Sequence, residues 1–477
     1  MNAGGLKARG TRIGALVLVI LFFPVFSGMA RGQGMRPAGM GPDRNMIGTA
    51  PHSVEGRNPY TLDSIIRYAL KNNPRIRIAG KNVEGEGYGL DAAQAERMPR
   101  IDFGGGVTRY RWDTPLTPIV ISIPLSTNTE IPEFRRTIWD TGLSFRLPLF
   151  RGGRLMRNVR VAEMRQGVAV DTLKSTTQDL VYNLSSVFYK IAQLEKLYLA
   201  NDGSVRQLEA HKKNVETQLA AGTVPRLDLL KTDVELSHAI ENRLVVKNNL
   251  LSAYELLKSL MGMDEMATTI SIAEEQKEDE SYPPVEESLS RALAQRPDFK
   301  AAAKRLKVSE ERIKIAWGKR LPDIYAQGRY WGQAGNEFAF KENYYFGLNL
   351  SIPIFDGGLI RSEINRERVE LEKAKEEERS LRLAITREVR DGHLTIANAL
   401  ERIGVTGKAL ESARENLRVE MLKYETGEGT STDVIDARTA LLRAESDSYQ
   451  ALFDRQTALA SLRRAVGDEW YGEEAGK

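Results

Sequence analysis

Carboxylates near the end of the chain are the residues best suited to ion chemistry. Asp433 and Asp436 lie three positions apart at the expected start of a helix, so both side chains fall within one helical turn. If several copies met at one axis, their like charges would repel, bind cations or raise their own pKa values, giving an ion-sensitive constriction. Two simpler interpretations remain open: Asp433 stabilises the helix dipole, and Asp436 belongs to a solvated helix face.

Catalytic and metal chemistry have little support in the composition. The 477 residues include no cysteine and four histidines, and no two histidines stand at the spacing of metal ligands. No nucleophile, histidine and acid arrangement and no Walker-type phosphate loop occurs, so we expect no enzyme, no cofactor and no resident metal. The formal net charge is +4, and the three positive residues of the expected leader account for most of it. Nucleic acid is therefore not an expected partner.

The two carboxylates belong to one of two matching turn sequences. GTVPRLD at 222–228 and GEGTSTD at 427–433 each separate two long helix-forming stretches, with glycine for the turn and Pro, Ser or Thr at the next helix start. Asp228 and Asp433 occupy equivalent places in the two turns. Lys231 stands where the second turn has Asp436, so the second carboxylate is specific to one copy.

These turns are part of an internal duplication. LPLFRGG at 147–153 returns 205 positions later as IPIFDGG, and the segment at 62–74 matches 285–297 at an offset of 223. The difference between the two offsets predicts an 18-residue insertion in the first copy, which we place within 113–134. The chain is thus expected to contain a signal peptide, a flexible segment, two structural repeats and a tail, at 1–30, 31–60, 61–283, 284–468 and 469–477.

Each repeat is expected to contain two strands followed by two long helices. In the second expected strand of each repeat, residues alternate between an apolar face and a small polar face. This pattern is typical of a transmembrane β-strand or of a half-buried strand in a soluble sheet. A glycine triple at 104–106 predicts a bulge or bend in the first strand. The expected strands are at about 101–112, 138–150, 324–333 and 344–355, and the long helices at about 154–221, 225–262, 360–426 and 431–466.

Four strands in one chain imply that copies assemble. Four strands are too few to close a barrel around a lumen, and an open sheet edge is not tolerated in lipid. Three copies would give twelve strands, so a trimer is the simplest solution, although strand counting leaves other multiples open.

The duplication, the Pro-x-Phe-x-Gly-Gly strand ends and the Asp-Val-Ile-Asp-Ala run at 433–437 resemble the TolC-type outer-membrane efflux proteins. The resemblance covers about residues 61–467. It implies a mainly α homotrimer with a twelve-stranded transmembrane β-barrel in outer-membrane lipid, continued by a long periplasmic α-helical barrel. It also implies a passive exit duct for efflux or type I secretion, opened at its periplasmic end by a periplasmic adaptor and an inner-membrane transporter. With no cysteine, the chain has no site for a lipid anchor.

The resemblance also implies roles for the two turns. Asp433, Asp436 and Tyr424 would form the periplasmic aperture, whereas Gly429 stands where some relatives have a basic residue that latches the closed state. A structural envelope protein, a coiled-coil tether or scaffold without channel activity, is the alternative. The residues expected to contact the adaptor are Gly222, Thr223, Val224, Pro225, Arg226, Leu227, Asp228, Gly427, Gly429, Thr430 and Ser431.

Overall fold

The computed structural model describes residues 59–116, 133–263, 270–273 and 282–468. These segments form the same motif twice: two helices, a β-hairpin and two long helices. The expected signal peptide, nearly all of the flexible segment, most of the expected insertion and the C-terminal tail lie outside the described residues. Among the described helices, none is long and apolar enough to cross a membrane.

The two repeats contain twelve described elements in matching order. In the first repeat they are α1 Leu62–Asn72, α2 Pro74–Ala95, β1 Arg100–Pro115, β2 Phe134–Arg151, α3 Arg154–Ala220 and α4 Arg226–Met261. In the second they are α5 Val285–Gln295, α6 Pro297–Gly318, β3 Asp323–Ala334, β4 Lys341–Ser351, α7 Leu359–Thr426 and α8 Ser431–Val466. Helices α3 and α7 have 67 and 68 residues, which corresponds to a length of about 100 Å each.

Glycine pairs connect the sheet to the long helices. Gly152 and Gly153 have φ values of +59° and +73°, and Gly357 and Gly358 have +63° and +90°. Residues with a side chain are strained in this region, which explains why both repeats have two glycines before the long helix. Gly152 has a second constraint, because a Cβ there would lie 2.0 Å from the carbonyl oxygen of Gly318 at the end of α6.

The four strands form one antiparallel sheet in the order β1-β2-β3-β4. The predicted bulge at the glycine triple is wrong, because Gly104 and Gly106 pair in regular register with Gly142 and Asp140. The irregularity in this pair falls later, between Arg109 and Thr114, where β1 approaches the hairpin loop.

The predicted extension of β4 to Phe355 is also wrong. The ladder with β3 ends at Ser351, and Ile354 and Phe355 are 97% and 90% exposed. In the first repeat β2 continues to Arg151 because β3 lies beside it along that stretch. Strand β4 is at the sheet edge with a single neighbour, and Pro353 has no N–H to extend the ladder.

Apolar residues are buried where helices of one repeat meet. The main core combines α1, α3 and α4, and the second repeat has smaller clusters between α7 and α8 and around α5. Helix α3 also packs against α8, which joins the repeats along the helical part. The largest buried side chains of the main core are Leu62, Ile65, Ile66, Leu184, Phe188, Ile191, Leu257 and Met261.

The two glycines before α3 provide a matched test of the backbone contact with α6. Gly152→Ala and Gly153→Ala both place a side chain at positive φ, but a Cβ at Gly153 meets no atom within 4 Å. We expect Gly153→Ala to cost about 1 kcal/mol and Gly152→Ala roughly 3 kcal/mol, because only the latter displaces Gly318. Thermal unfolding of purified protein, followed by circular dichroism, would measure the difference. Equal losses would contradict the contact.

Candidate functional site

The two turns that join the long helices lie at the end of the helical layer remote from the sheet. Gly222 and Gly427 end α3 and α7 in the left-handed conformation, with φ of +74° and +78°. The chain then turns back through hydrogen bonds from Thr223 N to Gln218 O, 3.0 Å, and from Glu428 N to Lys423 O, 2.8 Å. The turns therefore set the start of α4 and α8, where the candidate carboxylates lie.

Asp433 takes part in a capping box at the start of α8. Its Oδ2 accepts hydrogen bonds from the backbone N–H of Thr430, 3.0 Å, and from the Thr430 hydroxyl, 2.6 Å. The Asp433 N–H donates to Thr430 Oγ1 at 3.2 Å in return. The Thr430 hydroxyl and N–H favour the charged carboxylate and lower the pKa of Asp433. Asp433 thus stabilises the helix start, one of the two interpretations that the sequence left open.

Asp436 has a different environment one turn later. It is exposed, between the buried residues Ile435 and Ala437. Within the described part of the chain its carboxylate has no hydrogen bond or ion pair, so both oxygens are free to meet an ion. The first repeat has Lys231 in this position, and its Nζ donates to Thr432 Oγ1 of the second turn at 3.1 Å.

Tyr424 ties the second repeat to the first. Its ring packs beside Leu417, Val434 and Ala437, and its hydroxyl donates to Gln218 Oε1 of α3 at 2.9 Å. Burial raises the pKa of Tyr424, and the nearby carboxylate of Asp228 adds to the effect. The hydroxyl therefore remains a donor at physiological pH.

His211 of α3 is buried against the same cluster. Its Nε2 lies 2.9 Å from Ser431 Oγ, and its ring centroid lies 5.2 Å from that of Tyr424. Burial, with a further contribution from the charge of Arg438, lowers the pKa of His211 to about 4, and Asp228 opposes this only in part. His211 is therefore neutral near pH 7 and serves as a packing and hydrogen-bonding residue.

Gly429 lies close to the end of α7. A Cβ at this position would come within 3.0 Å of the Lys423 side chain and of the Tyr424 nitrogen. The Gly429 N–H also donates to the Lys423 carbonyl at 3.0 Å. The close approach gives a structural reason for glycine at this position.

The structure assigns several predicted residues to the turns and adds three that sequence reasoning did not single out for this site. Ser431, expected at the adaptor surface, is 1% exposed and faces His211. These three residues are Gln218, His211 and Arg438, which lie on long helices among many other polar residues. The sequence pattern of those helices does not indicate which polar side chains contact another helix. Among the described residues, no group of three or more His, Cys, Asp and Glu side chains could hold a metal ion.

A model of the outer membrane efflux protein family matches residues 65–263 and 288–468, one stretch in each repeat. The chain belongs to this family. Both matched stretches include a tip turn and its flanking long helices.

Similarity between this efflux protein and individual relatives extends over most of the chain. It is 20% identical to outer membrane protein TolC of Vibrio cholerae over 433 residues, 88% of this chain and 93% of that protein. It is 26% identical to outer membrane protein OprJ of Pseudomonas aeruginosa, over 86% of this chain and 84% of that protein. The Campylobacter jejuni CmeC outer membrane channel has a TM-score of 0.76 at 16% identity, over 90% and 94% of the two chains.

Family membership confirms several expectations from the sequence. The chain is a TolC-type outer-membrane efflux protein with a mainly helical fold and a small antiparallel sheet. It is located in the outer membrane and acts as an exit duct for efflux. The family favours this role over the alternative of a structural envelope scaffold.

The neutral His211 predicts an acid-sensitive contribution to stability. Its folded-state pKa of about 4 lies below the ordinary value of 6.5, so protonation favours unfolding. The contribution is complete above about pH 6.5 and is lost as the pH falls toward 4, on the order of 2 kcal/mol. We expect His211→Gln to flatten this part of the pH dependence in thermal unfolding. His238→Gln, at an exposed histidine of α4, is the control; equal slopes in the two variants would refute the assignment.

The capping box predicts that the two carboxylates of α8 differ in their effect on stability. Asp433→Ala removes the acceptor for Thr430 and should lower the free energy of unfolding by about 1 kcal/mol. Asp436→Ala removes an exposed carboxylate and should change it by less than about 0.5 kcal/mol. Chemical denaturation of both variants beside the wild type would measure this, and equal losses would argue against the capping role.

Proposed function

We propose that three copies of this chain form one duct, each supplying four strands and its long helices. Strands β1 and β4 are the edges of the sheet and have one partner each within the chain. Exposed apolar side chains lie along β4, among them Tyr344, Phe346, Leu348 and Leu350. Unpaired backbone groups are too costly in hydrocarbon, so β4 of one copy would pair with β1 of the next. Twelve strands then close a barrel wide enough for a lumen.

The helices support the same arrangement. Helix α3 packs against α4 on one side and α8 on the other, and α7 packs against α8. Among the described residues, the flanking helices α4 and α7 therefore have faces without a partner. These faces include exposed apolar residues, Leu230, Val234 and Leu251 on α4 and Leu394 and Val405 on α7. Packing α4 of one copy against α7 of the next would bury them and close a helical tube.

The duct would be passive and would work with two further proteins. A periplasmic adaptor would dock at the tip turns, and an inner-membrane transporter would supply substrate and energy. The name of one relative supports a function as part of a pump: it is the toluene efflux pump outer membrane protein TtgI of Pseudomonas putida. Ser431 is buried, so the proposed adaptor surface consists of the more accessible residues of the two turns. They are Gly222, Thr223, Val224, Pro225, Arg226, Leu227, Asp228, Gly427, Gly429 and Thr430.

The carboxylates of α8 would act at the periplasmic entrance. In a trimer Asp433 and Asp436 contribute six carboxylates near one axis, a strong site for cations. Asp436 would be the main cation ligand, because Asp433 already accepts hydrogen bonds from Thr430. Tyr424 would hold α7 against α3 and so maintain the packed entrance.

Channel recording tests the duct and the entrance separately. Purified wild-type protein in planar lipid bilayers should conduct ions, and a trivalent cation such as hexamminecobalt added on the periplasmic side should block the current. Asp436→Ala should raise the blocking concentration roughly tenfold, because it removes three negative charges from the axis. Asp447→Ala, at an exposed carboxylate farther along α8, is the matched control.

Two outcomes would count against these proposals. Absence of conductance in the wild type would refute the duct. A normal conductance whose block is unchanged in Asp436→Ala and in the double variant Asp433→Ala/Asp436→Ala would refute the entrance assignment alone.

A further inference from the structure

A cleft of about 310 Å³ lies beneath the tip turns, between α3, α7 and α8. It is distinct from the exposed carboxylates at the start of α8, and it lies behind the ring of Tyr424. Its floor includes a charged residue for which neither the fold nor the proposed duct gives a use. The polar residues that line the cleft are Gln207, His211, Asn214, Gln218, Glu425 and Arg438.

Arg438 is the unusual member of this group. The residue is 9% exposed, and its Nε and Nη1 are shielded from solvent without an acceptor among the described residues. Burial disfavours the charged form and lowers the pKa of Arg438, yet a guanidinium remains protonated in proteins. A buried cation without a partner is costly, so a negative charge bound beside it would be favourable.

The rest of the lining is rich in hydrogen-bond donors. Gln218 accepts the Tyr424 hydroxyl through Oε1, which leaves its amide N–H groups for other partners. Asn214 and Gln207 add side-chain amides two turns apart on α3. Glu425 is the one carboxylate among the lining residues, and it is exposed and forms no hydrogen bond with the Nε or Nη1 of Arg438. The cleft therefore combines a buried positive charge with neutral donors and one exposed carboxylate, that of Glu425.

We propose that this cleft binds an anion, an oxyanion or a carboxylate, with Arg438 as its principal ligand. An anion in this place contacts α8 through Arg438 and α3 through the amides of Asn214 and Gln218. It therefore connects the second repeat to the first directly beneath the turns, and its binding stabilises the packed arrangement of α3, α7 and α8. The guanidinium charge attracts the anion.

Calorimetric titration of the purified full-length protein tests the proposal. Sodium phosphate and sodium acetate are the probes, each at constant ionic strength set with sodium chloride. The wild type should bind at least one of them saturably, with one site per chain. Arg438→Gln should weaken this binding about tenfold or more, because it removes charge-assisted hydrogen bonds. Arg443→Gln, at an exposed arginine of the same helix, should bind as the wild type does.

Two further measurements keep the test decisive. If Arg438→Gln does not fold, Asn214→Leu removes a donor at the cleft wall and should weaken binding several-fold. The bound anion should also raise the thermal unfolding temperature of the wild type more than that of Arg438→Gln, since a general salt effect would act on both equally.

Two results would overturn the proposal. One is the absence of saturable binding of both probes to the wild type. The other is equal affinity in the wild type and in a folded Arg438→Gln, or, where that variant does not fold, in Asn214→Leu. If neither anion binds and Arg438→Gln also fails to capture a purified adaptor that the wild type captures, the guanidinium recognises an acidic side chain of a partner protein instead.

Discussion

A helix of nearly seventy residues cannot bury its apolar side against itself, and most of this structure follows from that constraint. Helix α3 needs a partner along about 100 Å, and it finds α4 and α8 in its distal half and α2 and α6 nearer the sheet. Each antiparallel pair requires a tight turn at the far end, and each junction between a strand and a long helix requires a local change of backbone conformation. Glycines at positive φ lie at all of these places. Both repeats therefore have glycine at the same positions before and after their first long helix.

Two core positions are apolar in the first repeat and polar in the second. Ile65 and Phe188 pack together in the main core of the first repeat. Their counterparts are Ser288 and His393, whose side chains form a hydrogen bond of 3.0 Å between Ser288 Oγ and His393 Nε2. The Ser288 hydroxyl also donates to the Pro283 carbonyl at 3.3 Å, so the polar side chains of this core are hydrogen-bonded. The two copies therefore keep one backbone arrangement with cores of different polarity.

Sequence reasoning succeeded where the deciding interaction is local. The ends of the long helices depend on glycine, proline and the Thr430 cap, all of which are visible within a few residues. It failed for β4, because the length of that strand depends on its place at the sheet edge as well as on Pro353. The bulge predicted at the glycine triple of β1 was wrong for a related reason. These glycines pair in regular register with Gly142 and its neighbours on β2. Only tertiary structure reveals such cross-strand partners.

The same distinction applies to the tip. The sequence identifies Asp433 and Asp436 as a pair, but their carboxylates are not equivalent, since only Asp433 is hydrogen-bonded to Thr430. That difference has a mechanical consequence. The capping box fixes the first turn of α8, and the packing of Val434 and Ala437 against α7 fixes its rotation. Asp436 is thereby held in a defined direction although its own side chain has no hydrogen bond or ion pair with the residues that the structure describes. An exposed charge on a rigid helix start is better suited to a repeated ion site than one on a loop, because its position loses little entropy when an ion binds.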